Sequence, residues 1–137
     1  APLAKEMGIT ICIENLYGGI GGHLVEGPCC DARKAAARID RMNERYQAEV
    51  LGFCFDTGHA NLVGLDFEDF LTTLGSRLKV LHIHDNDGVA DLHQIPFTFT
   101  KARENAPVLT AFPQELKAQA LTLIAQIGAY FAKKIEN

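Results

Sequence analysis

The sequence predicts an α/β fold built on a parallel sheet. Three short apolar runs each end in carboxylate or imidazole groups, two stretches of helical periodicity separate them, and the order is strand, helix, strand, helix, strand. Runs that stay apolar until their C-terminal end suit strands buried on both faces. Their alternation with helices calls for parallel βαβ units with right-handed crossovers.

The elements follow in chain order. Residues 1–6 (APLAKE) read as the tail of a helix. Residues 8–15 (GITICIEN) form the first β-rich run, closing on Glu14 and Asn15. Residues 18–23 (GGIGGH) predict a mobile glycine loop, and the absence of a Gly-Lys-Ser/Thr ending argues against a phosphate cradle. Tyr17 and His23 flank that loop, where either could line a pocket or simply pack. From 31 to about 46, Ala32, Ala35, Ala36, Ile39, Met42 and Tyr46 recur at helical spacing behind Asp31, a suitable N-cap. The arginines between them mark a solvated face. Residues 50–56 (VLGFCFD) are the second strand, 66–74 a shorter helix with Phe67, Phe70, Leu71 and Leu74 on its buried side, and 79–85 (KVLHIHD) the third strand. Residues 91–107 read as a long loop with a short extended piece at 97–100. Pro113 then opens a helix to about 132, proline being compatible with a first helical turn.

Bulk properties narrow the function. The 137 residues are 47% hydrophobic and 22% charged, which describes one globular domain. A net charge of −4 makes nucleic acid an unexpected partner, because backbone-phosphate binding asks for a basic surface. No apolar run is long enough to cross a bilayer, and the first residues lack a secretory layout. Cys12 and Cys54 lie inside apolar runs, and Cys29 and Cys30 are adjacent. That arrangement suits reduced thiols in a cytoplasmic protein better than a disulfide or a zinc clasp.

In parallel α/β architectures chemistry collects at the C-terminal ends of strands. The three strand ends supply Glu14, Asp56 and His84, and oxygen and nitrogen donors without thiolate suit Mn, Mg, Co or Zn. The second strand continues Asp56-Thr57-Gly58-His59, where Gly58 permits a sharp turn that would aim Asp56 and His59 into one pocket. The third continues His82-Ile83-His84-Asp85-Asn86-Asp87-Gly88, then Asp91-Leu92-His93. Strand alternation places His82 and His84 on one side with His84 nearer the mouth, which leaves His82 a supporting role.

The segments ICIEN, CFDTGHANL and LHIHDNDGVADLH resemble the fifth, sixth and seventh strand ends of the xylose-isomerase-like barrel superfamily, over roughly residues 1–100. The resemblance implies a partial (β/α)8 TIM barrel over 1–137, the C-terminal half of a longer barrel. It implies Glu14, Asp56 and His84 as metal ligands, Glu14 and His59 as catalytic groups, and His59 and Asn86 as contacts to a small sugar substrate. Asp91 and His93 match positions that hold an additional metal in multi-metal members. The implied activity is isomerisation or epimerisation of a sugar or sugar phosphate through proton removal beside a carbonyl, with a divalent ion as cofactor. An apurinic-endonuclease-like phosphodiesterase and a non-catalytic remnant are the alternatives, and metal count separates them.

One departure matters. Residues 101–112 offer no strand ending in the glutamate that normally completes the site, Glu104 being a poor stand-in, so an eighth strand is expected to be missing. Three strands cannot close a barrel and leave open edges. The chain by itself is therefore expected to be marginal, homo-oligomeric or inactive.

Overall fold

The computed structural model of the chain describes residues 1–96 and 98. The chain divides into two compact units, Ala1–Glu104 and Asn105–Asn137. The expected helix at 113–132, the expected extended piece at 97–100 and the stretch 101–112, where no eighth strand was expected, lie outside the described residues, apart from Thr98, whose amide and hydroxyl both bond the Ile95 carbonyl.

The described part is mixed α/β. Helix α1 (Pro2–Met7) leads into β1 (Ile11–Glu14), a hairpin of β2 (Tyr17–Ile20) and β3 (His23–Glu26), helix α2 (Ala32–Tyr46), β4 (Leu51–Asp56), helices α3 (Thr57–Val63) and α4 (Phe67–Leu74), and β5 (Leu78–His82). Strands β1, β4 and β5 form a parallel sheet in the order β1–β4–β5, so β4 is central.

Local sequence explains the helices. The Asp31 side chain accepts from the Lys34 amide at 2.9 Å and caps α2, in which Ala32, Ala35, Ala36 and Ile39 face inward. The Asp66 side chain does the same for α4 through the Asp69 amide, also at 2.9 Å. Asn43, near the end of α2, accepts from the Val50 and Leu51 amides and donates to the Leu51 carbonyl, which fixes where β4 begins.

The core lies between β4 and α4. Phe53 and Phe55 are fully buried, with Phe70 against both rings and Phe67 edge-on to Phe55, at centroid separations of 5.2–5.5 Å. Such pairs add about 0.5–1.5 kcal/mol each beyond burial. Val50, Ile39 and Leu74 complete it.

Two expectations are corrected here. Burial on both faces holds for β4 but not for its neighbours: Ile11 of β1 is 47% exposed and Val80 of β5 is 40% exposed, both strands being edges of the sheet among the described residues. Residues 18–23, expected to be a mobile loop, instead belong to an antiparallel hairpin pairing Tyr17 with Glu26 and Ile20 with His23. Its turn is Gly21-Gly22 at φ 59° and 82°, the two successive positive values that a tight hairpin requires and glycine supplies without strain. Among the described residues, no helix is long and apolar enough to cross a membrane.

Candidate metal centre

Register decides which side chains meet. In the sheet Glu14 lies level with Cys54, and Asp56 lies level with His82. The second pairing depends on a bulge: Phe53 pairs with Leu78 but Cys54 pairs with Val80, so Lys79 is skipped and β5 advances by one residue. Without that step Leu81 would stand beside Asp56. Beyond the strand end, the fully buried Asn15 continues the β1–β4 ladder with its side chain, accepting from the Asp56 amide at 2.8 Å and donating to its carbonyl at 2.9 Å.

An inner donor set results. His82 Nδ1 is 3.2 Å from Glu14 Oε1 and 3.6 Å from Asp56 Oδ2. Asp56 is 2% exposed and its other oxygen is occupied: Oδ1 accepts from the His59 amide at 2.8 Å and from His84 Nε2 at 2.9 Å. His59 is held on several sides. Its Nδ1 lies 3.0 Å from the Asn15 carbonyl, 3.3 Å from Glu14 Oε1 and 3.6 Å from Asp56 Oδ1, and its ring meets the Tyr17 ring at 5.3 Å. A carbonyl only accepts, so the His59 proton sits on Nδ1 and Nε2 presents a lone pair. Cys54 lies below, its thiol pushed up to about 11 by burial and then by the Glu14 and Asp56 carboxylates, which keeps it protonated and unreactive.

An outer set sits on the loop after β5. Asp85 and Gln94 exchange backbone hydrogen bonds at 2.9 Å, so residues 85–94 return on themselves, with Asp87 accepting from the Val89 and Ala90 amides inside the turn. This closure brings Asp91 and His93 back to the strand ends. Asp91 Oδ2 is 3.4 Å from His59 Nε2, and its Oδ1 is 3.2 Å from His93 Nδ1 and 3.8 Å from His84 Nδ1.

These donors fit a divalent cation. His84 Nδ1 and Asp91 Oδ1 are buried without a hydrogen-bond partner. A lone pair of His59 also faces Asp91. Acceptors opposed in this way repel unless a proton or a metal cation lies between them. The separations suit ligands that each stand about 2.0–2.2 Å from one ion. Donor atoms converge within 4.8 Å in three groups, the last two sharing His84: Glu14, Cys54 and His82; Asp56, His59 and His84; and His84, Asp91 and His93.

A family model described as xylose isomerase-like TIM barrel matches residues 1–116. The chain belongs to this family. Its relatives include the uncharacterized protein y4fM of Sinorhizobium fredii, 40% identical over 57 residues that make up 42% of this chain and 18% of that protein. Another is the uncharacterized protein MJ1311 of Methanocaldococcus jannaschii, 33% identical over 95 residues, or 66% of this chain and 29% of that protein. The chain thus spans less than a third of the length of either relative. No solved structure matches it significantly.

Within this xylose isomerase-like chain the expected site residues fall into place unevenly. Glu14, Asp56, His59, Asp91 and His93 all reach one continuous cluster. Of the expected trio, Asp56 and His84 fall in one donor group with His59, while Glu14 groups with His82, the residue at which β5 ends. The sharp turn expected at Gly58 is instead the start of α3, capped by Asp56, and a Cβ at Gly58 would overlap the His84 ring. Asn86, expected to contact substrate, is 3% exposed. Its amide donates to the Gly58 carbonyl, while its oxygen accepts from Asn61 and Gly88, so it ties the loop to α3 and presents no open face. No role was expected of Asn15, and His82 was expected only to support His84. The signal for Asn15 is an amide placed directly after a strand-end carboxylate, where an unpaired neighbouring backbone needs a partner.

Proposed function

We propose that this chain carries the metal-binding strand ends of a divalent-cation-dependent isomerase or epimerase acting on a small sugar or sugar phosphate. The observation that carries the reading is the convergence of Glu14, Asp56 Oδ2 and His82 Nδ1 from three adjacent parallel strands. Glu14, Asp56 and His82 would hold the cation, Mn, Mg, Co or Zn by donor type. When bound, the cation supplies stabilisation for negative charge developing on a substrate carbonyl oxygen.

The chain's own residues do the rest. Glu14, partly exposed at the mouth, takes a proton from the carbon beside the carbonyl and returns it. His59 stands 3.3 Å from that carboxylate with its tautomer set by the Asn15 carbonyl, so it orients Glu14 and faces substrate oxygens. Tyr17 covers His59 and limits water there.

The test is exchange of substrate hydrogen. Candidate ketoses incubated with the protein and Mn(II) or Co(II) in deuterated water should gain deuterium at the carbon beside the carbonyl, and Glu14→Gln should abolish the gain. Exchange that persists unchanged in Glu14→Gln would refute the assignment.

A second reading, phosphodiester hydrolysis, is favoured by one observation: the outer set of His59, Asp91 and His93, with Asp91 Oδ1 buried and unpartnered. Several cations there would neutralise a phosphate. About three tightly held zinc ions per chain, with no sugar exchange, would support it over the isomerase.

A further inference from the structure

We propose that the hairpin face carrying Tyr17, Gly19 and Leu24 is a subsite for an apolar, uncharged part of the substrate, so that the centre takes an unphosphorylated ketose bearing an apolar substituent. That the substrate is a ketose rests on the reading above; what lies at its far end is what the hairpin adds.

Tyr17 fixes which face of the hairpin looks toward the centre. Its ring meets the His59 ring at 5.3 Å, and His59 Nδ1 is 3.3 Å from Glu14 Oε1. Side chains alternate along a strand, and directly paired residues share a face. Gly19 therefore lies on the Tyr17 face, about 7 Å further along β2, with its partner Leu24 beside it. Tyr17 and Leu24 are both exposed. Between them a Cβ at Gly19 would meet nothing within 4 Å, so the floor is bare backbone under open space. Neither a positive φ nor crowding calls for glycine there. Glycine inside a strand weakens it, and often marks the close approach of a ligand. On the loop after β5, Leu92 is also exposed, between Asp91 and His93 of the cluster, so apolar surface continues directly from the donors.

Charge selects the kind of ligand. Residues 16–27 of the hairpin and 85–96 of the loop contain no Lys or Arg, but carry Glu26, Asp85, Asp87 and Asp91. A phosphate at the far end of a sugar would meet carboxylates there and find no lysine or arginine. The basic residues of α2 do not supply one. Lys34, Arg38 and Arg41 line a groove with Ile13, which points to the face of β1 opposite Glu14. Lys34 is also paired with Asp31 at 2.8 Å.

The experiment measures dissociation constants by calorimetry on the full chain with Mg(II), for 6-O-benzyl-D-fructose, 6-O-methyl-D-fructose and D-fructose 6-phosphate. The benzyl probe should bind roughly 10-fold more tightly than the methyl probe, the gain from half-burying a phenyl ring, and more tightly than the phosphate. Gly19→Ile fills the floor with a residue that suits a strand, and Leu24→Ser removes a wall. Each should bring the benzyl-to-methyl ratio toward one. A ratio of one in the unaltered chain, a ratio that Gly19→Ile leaves unchanged, or tightest binding of the phosphate would each overturn the subsite. A ratio of one, with a light-scattering mass that falls to a single chain in Leu24→Ser, would mean that a second copy covers this face and would overturn it too. Benzyl preference without Glu14-dependent deuterium exchange would overturn the isomerase reading and keep the subsite. Exchange into D-fructose without the preference would do the reverse.

Discussion

A carboxylate that ends a strand and caps the next helix must divide its oxygens between those tasks, and Asp56 shows the division. Oδ1 meets the helix amide and His84, and Oδ2 faces His82. Asn caps a helix about as well as Asp, so Asp56→Asn should fold normally while losing the charge. Cation affinity, read by competition with a chelator, is expected to fall by more than about 100-fold, beyond the loss typical of outer partners. Cys54→Ala is the contrast. It removes a buried thiol held protonated, costs about 1 kcal/mol of stability through the space left behind, and should leave affinity near that of the unaltered chain. Equal losses from the two substitutions would contradict the assignment of Asp56. At this scale the clustering was legible wherever a polar residue ended an apolar run, as at Glu14 and Asp56. That His82 lies nearer Glu14 than His84 does was not legible, because alternation along one strand gives the face of a side chain but not its level against the neighbouring strand.

That level is a property of the elements. The skipped Lys79 sets Asp56 opposite His82, and Lys79 itself reaches across Gly52 to pair with Glu49 at 2.5 Å. Nothing in the apolar pattern of residues 79–85 signals the skip. The helices α2 and α4 were legible because periodicity and an N-cap aspartate agree in each. The hairpin was not, since glycines occupy the positions where alternating side chains would have marked it. Between elements, Arg77 makes a two-pronged contact with Asp40 of α2, with nitrogens 2.6 and 2.7 Å from its oxygens, and this contact links α2 to the turn before β5. The guanidinium holds the Asp40 carboxyl below its ordinary value of 3.8. A depressed folded value stabilises the fold above that pH and ceases to do so as pH falls through it. Both groups are partly exposed, so Asp40→Asn should cost less than about 1 kcal/mol near neutral pH. In melts at successive pH values the difference from the unaltered chain should shrink as pH drops below 3.8. A difference that grows in acid would contradict the contact.

For the molecule as a whole, the sheet poses a problem that the described residues do not solve. A (β/α)8 barrel removes edges by closing on itself, and three strands cannot close. Among the described residues β1 and β5 are both edges, and apolar surface follows them: Leu3, Met7, Ile9 and Ile11 on the β1 side and Val80 on β5 are all exposed. Between β1 and α2 runs a groove of about 540 Å³ with Ile13, Ala35 and Met42 along it and Lys34, Arg38 and Arg41 at its rim. Unpaired backbone groups beside apolar side chains are what another chain's strand can add to. The 137-residue chain is therefore expected to self-associate, with a light-scattering mass that rises with concentration. Ile11→Lys, which sets a charge on the β1 edge, should lower that mass at fixed concentration without altering the Phe53–Phe70 core. A mass equal to one chain at every concentration, together with a single cooperative melt, would mean that these edges are satisfied within the molecule.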